Sequence, residues 1–148
     1  AGFTVPTERL PEVEARLLTL AREQLAGLTL MPTLQVDAEM PLETLSWDLY
    51  HAIERLEPFG YGNAVPILVS RNARVVEGRT VGADGRHLKL RLADDRGVVW
   101  DAIAFRQGDW ICRLPHRIDL AYMLEANVWN ERVNLQLNVQ DIHFPGEE

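Results

Sequence analysis

Three cationic side chains at a spacing of two are the residues of this sequence best suited to bind phosphate. His87, Lys89 and Arg91 have one leucine between each pair. Side chains two apart share one face of a β-strand, so the three cations are predicted to point outward while the leucines point inward. The backbone of a single-stranded polynucleotide could run across such a face. The competing interpretation is an ordinary solvated strand face.

The surrounding window extends this basic character. Residues 71–91 carry six Lys or Arg and two Asp or Glu, a local net charge of +4. Arginine binds phosphate in bidentate fashion and stacks on bases. The cations assigned to nucleic-acid binding are Arg71, Arg74, Arg79, Arg86, His87, Lys89, Arg91 and Arg132.

Aromatic and amide side chains could complete such a surface. Trp129 and Asn130 lie at a predicted hairpin tip, where an exposed indole could stack on a base; packing against the body of the domain is the alternative. Trp100 and Trp110 are predicted to pack internally. An outward amide ladder either hydrogen-bonds bases and phosphates or is a solvated edge strand. Its members are Asn134, Gln136, Asn138 and Gln140.

No catalytic or metal-binding constellation is predicted in this sequence. The four histidines do not recur at ligand spacing, and Cys112 is the single cysteine, with no His base close by in sequence. Asp94 and Asp95 precede a glycine and indicate a turn rather than an acid–base pair.

Composition is that of an ordinary globular domain. The chain has 148 residues, 47% of them hydrophobic, and a net charge of −7, of which −6 falls in residues 1–65. Neither a membrane span nor a secretory signal is evident. With one cysteine and no such signal, we expect a cytoplasmic protein.

The first half is predicted to be helical with a short strand. Apolar residues recur at helical spacing over 7–26, with Thr7 as cap and Gly27 as stop. Residues 33–39 alternate as a strand, and residues 42–56 form a second helix that ends before a proline. The turn 58–63 is expected to fix the geometry between this helix and the second half of the chain; its alternative role is that of a hinge or of a DNA-contacting loop.

The second half is predicted to be a small β-barrel. Strands are expected over 67–80, 86–93, 98–105, 117–127 and 132–143, with a short helix or irregular crossover at 107–114. Five strands in this arrangement favour a Greek-key barrel of the OB type, an oligonucleotide-binding architecture, over a β-sandwich. The fold class is therefore α+β and mainly β: an N-terminal helical segment and connector, then a five-stranded OB-type Greek-key barrel.

Several segments resemble the RecJ family of single-strand-specific 5′→3′ exonucleases. The stretch 56–63 (LEPFGYGN) resembles that family's Leu-Glu-Pro-Phe-Gly-x-Gly-Asn motif, with Tyr61 where a small or acidic residue is expected. The opening Ala1-Gly2-Phe3 resembles the end of the DHH-associated domain signature. Further matching segments are 82–90, 101–105, Trp129-Asn130 and 135–137.

The resemblance implies a division of the chain and a set of partners. Residues 1–27 would be the tail of a DHH-associated domain, residues 28–65 a connector, and residues 66–148 an OB domain that binds single-stranded DNA. It also implies a DHH catalytic core using Mn²⁺ or Mg²⁺, with no cofactor in this chain. The chain opens without an initiator Met, so we expect a piece of a longer protein acting in DNA repair and recombination.

A different class of function stays open on the sequence alone. The acidic first half and the barrel could form a protein-interaction module that docks single-strand-binding protein or the DHH catalytic core. An intact small enzyme is disfavoured because no catalytic constellation is visible.

Overall fold

The computed structural model describes residue 2, residues 4–29 and residues 31–144, without the side chain of Trp129. Ala1 and Phe3, which belong to the opening motif of the chain, lie outside the described residues. The chain divides into two compact units, residues 1–34 and residues 35–148. None of the described helices is long and apolar enough to cross a membrane.

The N-terminal unit is one helix preceded by a 3₁₀ turn. The turn spans Thr7–Arg9 and helix α1 spans Leu10–Leu25, which confirms the predicted helix. The predicted cap is wrong, because Arg9 occupies the cap position and no side chain caps the helix. Pro11 in the first turn lacks an N–H and leaves one donor fewer to satisfy. Gly27 follows with φ +81°, the left-handed conformation that ends helices.

The connector is less regular than its apolar pattern predicts. Strand β1 is only Ala38–Glu39 and pairs in parallel with the next strand. It is short because the Asp37 carboxylate accepts the Ile67 N–H at 2.8 Å, the donor that a backbone carbonyl of a longer β1 would need.

The second predicted helix is split in two. A 3₁₀ turn covers Leu42–Thr44, and helix α2 covers Trp47–Glu54. Ser46 separates them because its extended backbone and hydroxyl, which accepts the Leu49 N–H at 3.3 Å, form a cap. Leu42, Leu45 and Ile53 are buried with the barrel core.

Five long strands form a closed circuit of pairings. They are β2 (Leu68–Val81), β3 (His87–Ala93), β4 (Val99–Ala104), β5 (Arg117–Trp129) and β6 (Arg132–His143). A 3₁₀ helix, Gly108–Cys112, connects β4 to β5. The pairing order is β2-β3-β4-β6-β5, and β5 pairs again with β2. Only the β4–β6 pairing within this circuit is parallel. This topology confirms the predicted OB-type architecture.

The alternating leucines fill the interior of this circuit. Leu88, Leu90, Leu92 and Leu137 are fully buried, and Leu135 is half-buried against the same core. The predicted strand register is therefore confirmed, since a slip of one residue would have exposed every one of them. Tyr122 lies among them with its hydroxyl 2.8 Å from that of Ser70, and burial raises the pKa of this phenol to about 12.

The turn after α2 is held by one side chain. The Asn63 amide donates to the carbonyls of Leu56 and Pro58, both at 2.9 Å. Gly62 takes φ +83°, which glycine adopts without strain. Tyr61 at the tip is fully exposed.

Candidate nucleic-acid interface

The outward face of β2, β3 and β4 brings Arg79, Lys89 and Ile103 into one row. Arg79 pairs with Lys89 across β2–β3, and Lys89 pairs with Ile103 across β3–β4. Lys89 is half-buried, so its methylene stem packs along the sheet while the ammonium group reaches solvent. No carboxylate pairs with either cation among the described residues. This row presents, beside an apolar side chain, two positive charges that form no ion pair within the described part of the chain.

The neighbouring row is electrostatically different. Arg91 pairs across the strands with Glu77 on β2 and with Asp101 on β4. Its guanidinium lies 3.7 Å from the Glu77 carboxylate. Together with Arg79 and Lys89 of the first row, these side chains line a depression of about 110 Å³. The local charge of the cationic stripe is thus offset at its Arg91 end by carboxylates that the sequence places ten or more residues away.

His87 lies at the opposite end of β3 beside an aromatic residue that the site prediction omitted. The Phe105 ring is 5.3 Å from the His87 ring in an edge-to-face arrangement and is 54% exposed. The Arg106 backbone N–H donates to His87 Nδ1 at 3.0 Å, so the neutral imidazole carries its proton on Nε2. An exposed ring and an imidazole N–H donor are thus adjacent on the outward face.

A signal for Phe105 exists in the sequence. Asp101, Ile103 and Phe105 continue one outward alternation, while Ala102 and Ala104 point into the core. Tyr61 and Trp47 are two further exposed aromatics that the site prediction omitted; both precede the barrel strands.

Besides Arg91, two more of the predicted cations are engaged in ion pairs. Arg71 contacts Glu39 at 2.9 Å and Asp119 at 3.3 Å, and both carboxylates raise the pKa of its guanidinium. It lies eight strand residues from Arg79, roughly 26 Å at about 3.3 Å per residue. Arg86 contacts Asp84 at 2.7 Å in the β2–β3 loop. The structure therefore does not bring Arg71 to the Lys89 row.

The remaining predicted residues are spread around the barrel. Arg74 is half-buried and pairs with Ala93 on β3 and Arg117 on β5. Asn130 and Arg132 are exposed in the β5–β6 turn. The Trp129 side chain lies outside the described residues. Trp100 and Trp110 pack partly buried against the core, as predicted.

The amide ladder of β6 is a connected surface. The Asn138 side chain donates to Glu125 at 2.7 Å, and the Gln140 side chain donates to the Asn138 carbonyl at 3.1 Å. Asn138 pairs with Ile103 of β4, so the ladder continues the outward face beyond the Lys89 row. These amides retain spare donors and acceptors toward solvent.

Metal ligands are not brought together in the described part of the chain. There, no group of three or more His, Cys, Asp or Glu side chains could hold a metal ion. The Mn²⁺ or Mg²⁺ that the resemblance implies thus finds no fitting ligand set among these residues. Cys112 is exposed on the connecting 3₁₀ helix.

Comparison with known proteins places this architecture in one family. The family model "RecJ OB domain" matches residues 36–141. The RecJ single-stranded-DNA-specific exonuclease of Bacillus subtilis is 27% identical over 143 residues, which cover 95% of this chain and 18% of that protein. The exonuclease of the same name from Thermus thermophilus is 28% identical over 148 residues, 98% of this chain and 20% of that protein.

Solved structures agree with these matches. Crystal structures of Thermus thermophilus RecJ in complex with Mn²⁺ and with Mg²⁺ each superpose with a TM-score of 0.73 and cover 99% of this chain. Sequence identity is 28% and 27%, and the matched part is 21% and 22% of those chains. The chain spans about a fifth of the length of the curated relatives it matches. Because the family model takes in well over half of its residues and all five long strands of the circuit, the chain belongs to the RecJ OB domain family.

Proposed function

We propose that this chain is the single-stranded-DNA-binding OB region of a RecJ-type single-strand-specific 5′→3′ exonuclease. One observation carries the proposal: Arg79 and Lys89, which form no ion pair with the described residues, lie on the same outward face that exposes Phe105 beside His87. Positive charge combined with an aromatic platform is the recurring composition of single-strand-binding OB surfaces. The names of the curated relatives point to the same substrate.

In this proposal the strand crosses β3 and β4 from the Arg79 and Lys89 row toward Phe105. The two cations contact phosphates, which gives affinity without sequence preference. Phe105 stacks on a base, an interaction worth about 1–3 kcal/mol, and His87 Nε2–H donates to a phosphate oxygen. Arg91 contributes less because Glu77 and Asp101 already offset its charge.

The wider assignments of the sequence analysis are part of the same proposal. Residues 1–27 are assigned to a DHH-associated domain, residues 28–65 to the connector and residues 66–148 to the OB domain. Phosphodiester hydrolysis with Mn²⁺ or Mg²⁺ belongs to a DHH domain of a longer protein that acts in the cytoplasm on repair and recombination intermediates. The residues of this chain bind and orient the strand.

A titration with a labelled oligothymidylate at several salt concentrations tests the binding surface. Lys89→Ala should lower the slope of log K against log salt by roughly 0.7, the value for one lost phosphate contact on a single strand. Phe105→Ala should lower affinity while leaving that slope unchanged. Arg55→Ala, which removes an exposed cation just after α2, is the matched control. Unchanged binding by both Lys89→Ala and Phe105→Ala would refute the proposed surface.

A second candidate function is protein docking through the N-terminal unit. No residue of α1 is buried, and Leu10, Leu17 and Leu18 are each about half exposed. Contiguous exposed leucines mark an interaction site more often than a free surface. The partner proposed is the DHH catalytic core, with single-strand-binding protein as the rival. Leu17→Glu should abolish capture of the separately produced core; capture of single-strand-binding protein alone would favour the rival.

A further inference from the structure

The circuit of strand pairings is shortest between β4 and β6. These strands pair only at Ala102–Leu137, Ile103–Asn138 and Ala104–Val139. Continuing the parallel register would place Val99–Asp101 beside residues 134–136, yet the pairing stops. In the described residues, therefore, β6 has an unpaired edge over 132–136, and that edge is a row of backbone N–H and C=O groups open to another chain.

The same segment carries apolar side chains away from the core. Along the inward face of the β5–β6 hairpin, Leu137 is fully buried and Leu135 half-buried, whereas Val133 is 51% exposed. Its cross-strand partner Val128 is 67% exposed. On β4 opposite, the indole N–H of Trp100 is buried and has no acceptor in the described part of the chain. Apolar side chains beside an unpaired strand edge are the features that an added β-strand requires.

Charges around this edge select the kind of partner. Glu125 on β5, the cross-strand partner of Gln136, and Glu131 in the hairpin turn lie beside this segment, and within 125–136 the one cation is Arg132. The pKa of the Tyr50 hydroxyl is raised by burial and by the negative charges of Glu54, Glu57 and Glu125. Carboxylates repel a phosphate backbone and attract lysine and arginine.

We infer that residues 132–136 of β6 form a docking site for an extended peptide segment with alternating apolar side chains and flanking basic residues. The peptide pairs with the β6 edge through its backbone and covers Val133. Its basic ends lie near Glu125 and Glu131. The inference concerns the edge of β6 rather than the row of Arg79, Lys89 and Ile103, and it does not rest on the proposed binding of DNA.

A designed probe tests this docking site on the full chain. The probe is a fluorescein-labelled octapeptide, Lys-Thr-Val-Thr-Val-Thr-Val-Lys. Two control peptides (the twins) have the same sequence, one with N-methylated valines and the other with N-methylated threonines. Alternate N–H groups of an extended strand point to opposite edges, so at least one twin should bind roughly tenfold more weakly or worse. Backbone amide NMR signals of residues 132–136 should shift on binding. Equal affinity of all three peptides, or no binding, would overturn the inference.

Chain variants and a nucleic-acid competitor complete the test. Val133→Gln should weaken binding of the unmethylated peptide roughly tenfold, whereas Val76→Gln, at an exposed valine of the β2 bulge, should leave it unchanged. Equal losses in the two variants would contradict a site at this edge. Displacement of the peptide by a ten-residue oligothymidylate, with shifts of the same amide signals, would assign the edge to nucleic acid and also overturn the inference.

Discussion

Strand β3 and helix α1 both carry leucines at regular intervals, but only β3 buries them. Leu88, Leu90 and Leu92 are fully buried inside the barrel, whereas Leu10 and Leu17 of α1 are about half exposed. The two patterns are equally clear in the sequence. A periodic apolar stripe therefore predicts the local element and which of its faces is apolar. Which surface packs against that face depends on the rest of the molecule.

The largest expected effect is on the free energy of unfolding, after a substitution in the barrel core. Leu90→Ala should lower the free energy of unfolding of the barrel by about 2–5 kcal/mol, because it leaves a cavity among fully buried side chains. Leu17→Ala should change it by less than about 0.5 kcal/mol, since this side chain is 52% exposed. All four tryptophans lie in residues 35–148, so tryptophan fluorescence during urea unfolding reports the barrel unit. Similar losses in the two variants would show that α1 is part of the same cooperative core.

A smaller loss of stability is expected at alkaline pH, and only in the barrel unit. The folded protein holds the pKa of Tyr122 at about 12, about 2 units above the ordinary value for tyrosine. Stabilisation by the neutral phenol is therefore complete below about pH 10 and is lost as the pH rises toward 12, up to about 3 kcal/mol. Residues 1–34 contain no tyrosine, so this loss is confined to the barrel unit.

Urea unfolding at a series of alkaline pH values measures this loss. Tyr122→Phe should flatten the dependence, at a cost near neutral pH of about 1 kcal/mol for the hydrogen bond with Ser70. Tyr50→Phe, a change at a half-buried tyrosine whose pKa is also raised, is the control and should retain most of the fall. A steep alkaline loss that persists in Tyr122→Phe would contradict the assignment.

The smallest effect compares the caps of the two helices. Ser46→Ala should destabilise the barrel unit by about 1 kcal/mol, because the Ser46 hydroxyl caps α2 and α2 carries the buried Ile53. Thr7→Ala should have no measurable effect, since no side chain caps the helical segment at that end. Calorimetric unfolding of both variants measures this difference. A loss of stability in Thr7→Ala equal to that in Ser46→Ala would contradict it and support the predicted cap at Thr7.

Most of the barrel could be predicted because strand alternation is a local property. The inward leucines of β3 and the outward direction of Lys89 follow from a period of two residues. The shortness of β1 could not be predicted from its own alternation. It depends on the Asp37–Ile67 hydrogen bond, which joins residues 30 positions apart.

The candidate interface was only partly predictable for the same reason. The sequence treats Lys89 and Arg91 as equivalent members of one stripe, and the structure gives them different neighbours. Arg91 lies between Glu77 and Asp101, whereas Lys89 lies between Arg79 and Ile103. Arg71, another predicted member, is paired with Glu39 and Asp119. Each difference arises from residues brought together by strand pairing.

Helix α1, the five long strands with their inward faces, and the family resemblance follow from the sequence, because periodicity, turn residues and short motifs are local to the chain. The shortness of β1, the split of the second helix, the cations that form no ion pair among the described residues, the exposed Phe105 beside His87 and the unpaired edge of β6 depend on the tertiary structure. Electrostatic and packing energies depend on distance in space. In this protein that distance is set by the register between strands, which no single segment encodes.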